Sequence, residues 1–138
     1  DRIAGIPYAG LPIATAVSLA GNIPMLYARK EVKEHGTRRV IEGTFNPGDV
    51  VVPIDDVITD GASKFEAAAP LLEAGLVVRD FVIFLDREQG GADKLREKGY
   101  TLYSALRISD VLAYLRDAGR LSSDEYGRCT DFIASVRF

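Results

Sequence analysis

The stretch Val51-Val52-Pro53-Ile54-Asp55-Asp56-Val57-Ile58-Thr59-Asp60-Gly61-Ala62-Ser63 delivers two adjacent carboxylates at the end of an apolar run. A turn with a glycine and hydroxyls follows, and then a helical pattern begins. A run that is apolar on both faces reads as a central strand of a parallel sheet. In open α/β sheets, ligands bind beyond the carboxyl ends of such strands. The backbone N–H groups of the turn, the Thr59 and Ser63 hydroxyls and the helix N-terminus together suit a phosphate. Gly61 lets the backbone come close to the anion. Asp55 and Asp56 cannot hold a phosphate themselves, because like charges repel. They suit sugar hydroxyls, or a magnesium ion that the ligand brings with it. Asp60 is an unusual member of such a cradle, since an acid there opposes phosphate unless its side chain turns to solvent. A buried strand followed by a capped turn is the plainer alternative for the same residues.

Three further stretches carry chemistry. Arg29-Lys30-Glu31-Val32-Lys33-Glu34-His35-Gly36-Thr37-Arg38-Arg39 has five basic residues against two acids, a local charge of +3 in a chain of net charge −3. A basic island in an acidic protein is a local anion site rather than a polyanion surface. Alone it reads as a solvated loop, but its place just before the cradle favours a part in binding an anion. Cations there would stabilise a departing anion. Phe84-Leu85-Asp86-Arg87-Glu88-Gln89-Gly90-Gly91 is another strand ending in a polar, glycine-rich turn. Arg87 could bind a ligand carboxylate through two parallel hydrogen bonds, or tie to Asp86 or Glu88 at the surface. Ile6-Pro7-Tyr8-Ala9-Gly10-Leu11-Pro12-Ile13-Ala14 closes the first strand pattern, with Tyr8 either packed or facing a ligand.

The elements that must position these residues alternate. Strands are expected over 3–6, 24–28, 50–55, 81–85 and 101–104, and helices over 11–20, 62–73, 92–98, 109–117 and 122–135. That is the pattern of an α/β domain with an open, mostly parallel twisted sheet flanked by helices. In the helix over 62–73, the inward face is expected to be Ala62, Phe65, Ala68, Ala69 and Leu72, with Gly75 as the C-terminal cap. Pro53 is awkward inside a central strand, because it removes a ladder donor. Ser109 and Ser122 are expected N-caps, Ser122 with Glu125 as a capping box. Residues 29–47 show no clear periodicity, at a length where a loop is usually functional or disordered.

Composition sets the limits. The chain has 138 residues, 47% hydrophobic and 27% charged, which suits one compact domain with a sizeable core. The acidic balance argues against a nucleic-acid binder, and the apolar runs are too short for a membrane span. Cys129 is the single cysteine and His35 the single histidine. These exclude a disulfide framework and a multi-histidine zinc site, and point to a reducing cytoplasm; Cys129 reads as an ordinary core or surface thiol. Asp1 opens almost directly on a strand pattern, with no initiator Met or leader, and the chain is expected to begin inside a fold.

The 51–63 stretch resembles the phosphoribosyl-pyrophosphate (PRPP) motif of type I phosphoribosyltransferases. There, paired acids hold the ribose hydroxyls and the Thr-to-Ser loop holds the 5-phosphate. The likeness implies PRPP binding by Asp55, Asp56, Val57, Ile58, Thr59, Asp60, Gly61, Ala62 and Ser63. Within that family, Arg-Lys-Glu-x-Lys-x-His-Gly is similar to the catalytic loop of orotate phosphoribosyltransferases. This implies that Arg29, Lys30, Lys33 and His35 contact pyrophosphate. It further implies a homodimer that shares loop 29–39, with Lys33 and His35 acting in the partner's site. The stretch from Ile6 resembles the early PRPP loop of the UMP-synthase version, with Tyr8 and Ala9 at the ligand; Ala9 stands where many bacterial relatives place a lysine. The turn after Asp86 resembles the one whose arginine binds orotate, so Arg87 and Thr59 are expected orotate contacts.

The resemblance covers nearly the whole chain in matching order and implies a Rossmann-like core. Residues 1–138 are then one phosphoribosyltransferase core domain, with a helical extension over about 108–138. The N-terminal hood that covers the base in complete members has no counterpart before the first strand. The implied reaction is orotate plus PRPP giving orotidine 5′-monophosphate and pyrophosphate in pyrimidine biosynthesis. Lys33, His35, Asp55 and Asp56 are the catalytic candidates, and Lys33 or His35 would give a proton to pyrophosphate. Mg²⁺ would enter with PRPP, without direct protein ligands. PRPP and orotate are the expected partners, with neither nucleic acid nor membrane, in the cytoplasm. A rival reading is a non-catalytic PRPP-binding regulator or degenerate domain; a purine-using enzyme of the same family is a third.

Overall fold

The computed structural model describes residues 1–29 and 40–138. Lys30, Lys33 and His35 lie outside the described residues. The chain runs β1 (Arg2–Gly5), α1 (Gly10–Gly21), β2 (Met25–Ala28), β3 (Ile41–Glu42), β4 (Val50–Ile58), α2 (Ala62–Glu73), β5 (Val77–Val78), β6 (Asp80–Asp86), α3 (Gly91–Glu97), β7 (Thr101–Arg107), α4 (Ile108–Asp117) and α5 (Ser123–Ser135). All five expected strands and all five expected helices are present. Two-residue β3 and β5 are additional, too short to carry a readable alternation.

The sheet order is β3-β2-β1-β4-β6-β7, with β5 also on β4. Every pairing is parallel except β2 with β3. The chain therefore moves outward from β1 through β2 to β3, then returns to lay β4 on the other flank of β1. Such a reversal of strand order opens a crevice at the carboxyl ends, the place where ligands enter open α/β sheets. The connections after β1 and after β4 both emerge there.

Pro53 has its explanation in the register. Along one side of β4, pairing with β5 ends at Val51 and pairing with β6 begins at Ile54. Pro53 falls in the seam between two neighbours, where a missing donor interrupts no continuous ladder. One face of the sheet buries Val51, Ile58, Leu71, Phe81, Ile83 and Leu95, and the other packs Ile3, Ala14 and Ile54. Phe81 meets Tyr100 edge-on, with ring centroids 5.4 Å apart at 88°.

Three local expectations need correction. The buried residues of α2 are Lys64, Ala68 and Leu71; Ala62, Ala69 and Leu72 are exposed and Phe65 is half-buried. The helix is rotated from the expected face because a lysine occupies the inward stripe. Ser109 does not cap α4: the N-cap is Arg107, without a side-chain bond, and the Ser109 N–H donates to Glu88 Oε2 at 2.8 Å. The expected strand ending at residue 55 runs on to Ile58, which shortens the turn after it. Ser122 and Glu125 do form the capping box of α5, and Gly75, at φ 83°, donates to the Leu72 carbonyl just past α2. Cys129 is half-buried and free. Among the described residues, no helix is long and apolar enough to cross a membrane.

Candidate active site

At the strand-order reversal the carboxyl ends of β1, β2 and β4 and the first turns of α2 enclose a cavity of ≈ 460 Å³. Its lining falls entirely between Ala4 and Leu71. Asp55, Asp56, Val57 and Ser63 line it, with Tyr8 and Ala9 from the connection after β1 and Arg29 from the end of β2. Residues distant in the chain and singled out for one ligand therefore share one wall. Tyr8 is 66% exposed, so it is no core residue. The Pro7–Tyr8 peptide bond is cis.

Asp55 is buried, and each of its carboxylate oxygens has a donor. Oδ1 accepts the Asp56 N–H at 2.9 Å, and Oδ2 accepts from Lys64 Nζ at 2.7 Å. Burial pushes the Asp55 carboxyl pKa up, opposed by the Lys64 ammonium and the Asp56 N–H. Lys64 Nζ donates as well to Ser63 Oγ at 3.1 Å. Asp56 is half-buried, its Oδ1 accepting the Val57 N–H at 2.8 Å. Removing one partner of a buried ion pair typically costs about 3–5 kcal/mol, because the other charge is left without compensation.

The turn itself is Thr59-Asp60-Gly61, and it lies beside the cavity rather than in its lining. Ile58 is fully buried in the core beneath it, and Ala62 opens α2. Gly61 adopts φ 84° and packs on Gly91, whose carbonyl oxygen would lie 3.3 Å from an added Cβ. Asp60 does not simply point to solvent. Its Oδ1 accepts the Ala62 N–H at 3.2 Å, one of the amides that a helix N-terminus offers an anion.

Arg29 forms an ion pair with Glu42 of β3 and donates its N–H to the Val40 carbonyl at 2.8 Å. Arg87 does not line the cavity but stands next to the turn, its N–H donating to the Ile58 carbonyl at 3.1 Å, while Gly91 N–H donates to the Thr59 carbonyl at 2.9 Å. Its neighbours are occupied elsewhere: Asp86 Oδ1 accepts the Glu88 N–H at 2.8 Å, and Glu88 Oε2 accepts the Ser109 N–H. Among the described residues no ion pair engages Arg87, which is exposed.

Sequence reasoning passed over three residues that shape this site. Lys64 was hidden because a lysine inside a helix reads as outward-facing. Gly10 abuts β4 so closely that an added Cβ would lie 2.5 Å from the Ile54 carbonyl oxygen and 3.1 Å from Asp55 Oδ1. A lone glycine opening a helix carries no sign of such an approach. Glu42, the partner of Arg29, belongs to the two-residue β3 that left no pattern.

No protein-family model matches the chain. It is 50% identical over 126 residues to the bifunctional enzyme PyrF/PyrE of Nostoc sp., covering 91% of this chain and 26% of that one. It is 43% identical over 138 residues to uridine 5′-monophosphate synthase of Bos taurus, covering 100% of this chain and 29% of that one. The crystal structure of orotate phosphoribosyltransferase from Aeropyrum pernix superposes with a TM-score of 0.72 at 32% identity, covering 83% of this chain and 64% of that one. The chain thus spans less than a third of the two curated relatives. It is a homologue of orotate phosphoribosyltransferases and UMP synthases, and it has the type I phosphoribosyltransferase fold.

Proposed function

We propose that the chain binds PRPP in this cavity and transfers its 5-phosphoribosyl group to orotate, giving orotidine 5′-monophosphate and pyrophosphate. The observation that carries the reading is the convergence of Asp55, Asp56 and Ser63 with Tyr8 and Arg29 on one cavity at the sheet's reversal. The acids accept hydrogen bonds from the ribose hydroxyls. Ser63 and the amides opening α2 face the 5-phosphate, and Arg29, with Lys30, Lys33 and His35, serves the pyrophosphate. The orotate ring nitrogen, its N–H proton lost to solvent, forms its bond to the anomeric carbon as the bond from that carbon to the pyrophosphate oxygen breaks. The electron pair leaves with pyrophosphate, and Lys33 or His35 supplies it a proton. Arg87, with Thr59, holds the orotate carboxylate. Catalysis comes from positioning and from cations set where negative charge develops.

Mg²⁺ belongs to the same proposal. In this reading the ion arrives on the diphosphate and neutralises part of its charge, beside Asp55 and Asp56. A homodimer sharing loop 29–39, a cytoplasmic setting and a single core domain with a C-terminal helical extension complete the reading. Titration calorimetry of the intact protein with PRPP and Mg²⁺ tests it. Asp55→Asn with Asp56→Asn should weaken PRPP roughly 100-fold or more, since charged acceptors become neutral amides; unchanged affinity refutes the assignment. Steady-state consumption of orotate separates an enzyme from a regulator that binds PRPP alone.

A further inference from the structure

We infer that Lys64 is a positioning residue for the sugar phosphate, fixing Asp55 as an acceptor and the Ser63 hydroxyl as an outward donor. The inference rests on the PRPP reading above and adds to it a residue that touches the ligand through others. Lysine is almost never fully buried unless paired, yet Lys64 is 3% exposed on the inward stripe of α2 with Ala68 and Leu71. Stability alone does not account for it, because a buried ion pair is often no better than apolar side chains of similar volume. Its position does account for it, since Nζ reaches two neighbours on the cavity wall, Asp55 and Ser63.

The hydrogen-bond inventory decides the polarity at each. An ammonium can only donate, and a carboxylate can only accept. With one donor on each oxygen of Asp55, the remaining lone pairs are held in a fixed direction for hydroxyl protons. A serine hydroxyl has one proton and two lone pairs. Because Ser63 Oγ accepts from Nζ, its proton is left for an outside acceptor, and phosphoryl oxygens are acceptors. One cation thus sets opposite polarities at two adjacent points, matching a ligand that presents hydroxyls at one place and phosphoryl oxygens at another.

The test compares Lys64→Met, Asp55→Asn and the double variant in the intact protein, by calorimetry with PRPP and by steady-state kinetics. Lys64→Met should raise the PRPP Kd and KM about tenfold or more while the orotate KM stays within about twofold. A purely structural lysine would instead lower Tm and the active fraction without moving the PRPP KM, and that result overturns the role. The double variant removes both charges of the buried pair and so folds where the single change fails. Its PRPP affinity should lie within about tenfold of Asp55→Asn alone; a larger further loss shows that Lys64 contacts the ligand itself and also overturns the role. Wild-type protein that does not bind PRPP overturns the functional reading and this role together. Wild-type binding with an unaffected Lys64→Met variant overturns this role alone.

Discussion

Two strand-to-helix turns stand side by side at one edge of the sheet, built from nearly the same parts and put to different ends. The turn after β4 and the turn after β6 each follow a parallel strand carrying a buried aspartate. Each enters its helix through a left-handed glycine, Gly61 at φ 84° and Gly90 at φ 104°, and neither helix has a side-chain cap. After β6 the two acids are taken up within the fold, while among the described residues Arg87 has no ion pair and the buried Gln89 Oε1 has no hydrogen-bond partner. Asp86 takes the Glu88 N–H, Glu88 takes the Ser109 N–H, and the Phe138 N–H donates to the Gln89 carbonyl at 3.0 Å. An added Cβ on Gly90 would lie 2.6 Å from the Phe138 carbonyl oxygen. Before the turn after β4 the acids open onto a cavity, and a buried cation holds the first of them, Asp55. The difference teaches that a βα turn comes to border a cavity by what it leaves unfilled, more than by which residues it contains.

The sharpest way to break that contrast is to fill the open side. Gly10→Ala drives a methyl group into the Ile54 carbonyl and the Asp55 carboxylate. It should cost about 2 kcal/mol of stability, measured by denaturant unfolding, and weaken PRPP by more than tenfold. Next in size is Arg87→Ala, which asks whether the closed turn also serves a ligand. The orotate KM should rise about tenfold, as for loss of a charge-assisted pair, with the PRPP Kd unchanged by calorimetry. An unaltered orotate KM would make the turn after β6 purely structural and sharpen the comparison. The smallest change concerns Asp60, whose carboxylate occupies an amide of the α2 N-terminus. Asp60→Ala frees that N–H and removes a repelling charge. PRPP affinity should improve by roughly threefold at low salt, and the gain should shrink as salt is raised.

Much of this was legible in the sequence, for physical reasons that differ by region. The alternation of apolar strands with amphipathic helices is a long-range pattern, so the sheet and its helices could be read directly. The Ser122–Glu125 capping box is a strictly local signal, and it survives intact. The 51–63 stretch was recognisable because strand, acids, glycine and hydroxyls occur in one run. What escaped depends on contacts between distant segments. The face of α2 was misjudged because Lys64 looks solvated until Asp55, on another element, is placed beside it. Gly10 matters only because β4 passes against it, and Pro53 is tolerable only because the neighbour of β4 changes at that point. The turn after β4 proved shorter than read because pairing with β6 extends that strand through Ile58.

The cavity lining ends at Leu71, while Arg87 stands on the far side of the Thr59 turn. In the proposed reaction the donor sugar and the acceptor base are handled on two sides of a single seam of backbone at the Thr59 turn. Such a division makes the base-recognising portion exchangeable. A lineage could alter which ring it accepts by editing Thr59 and residues after β5, while the side chains that line the sugar's cavity are inherited untouched.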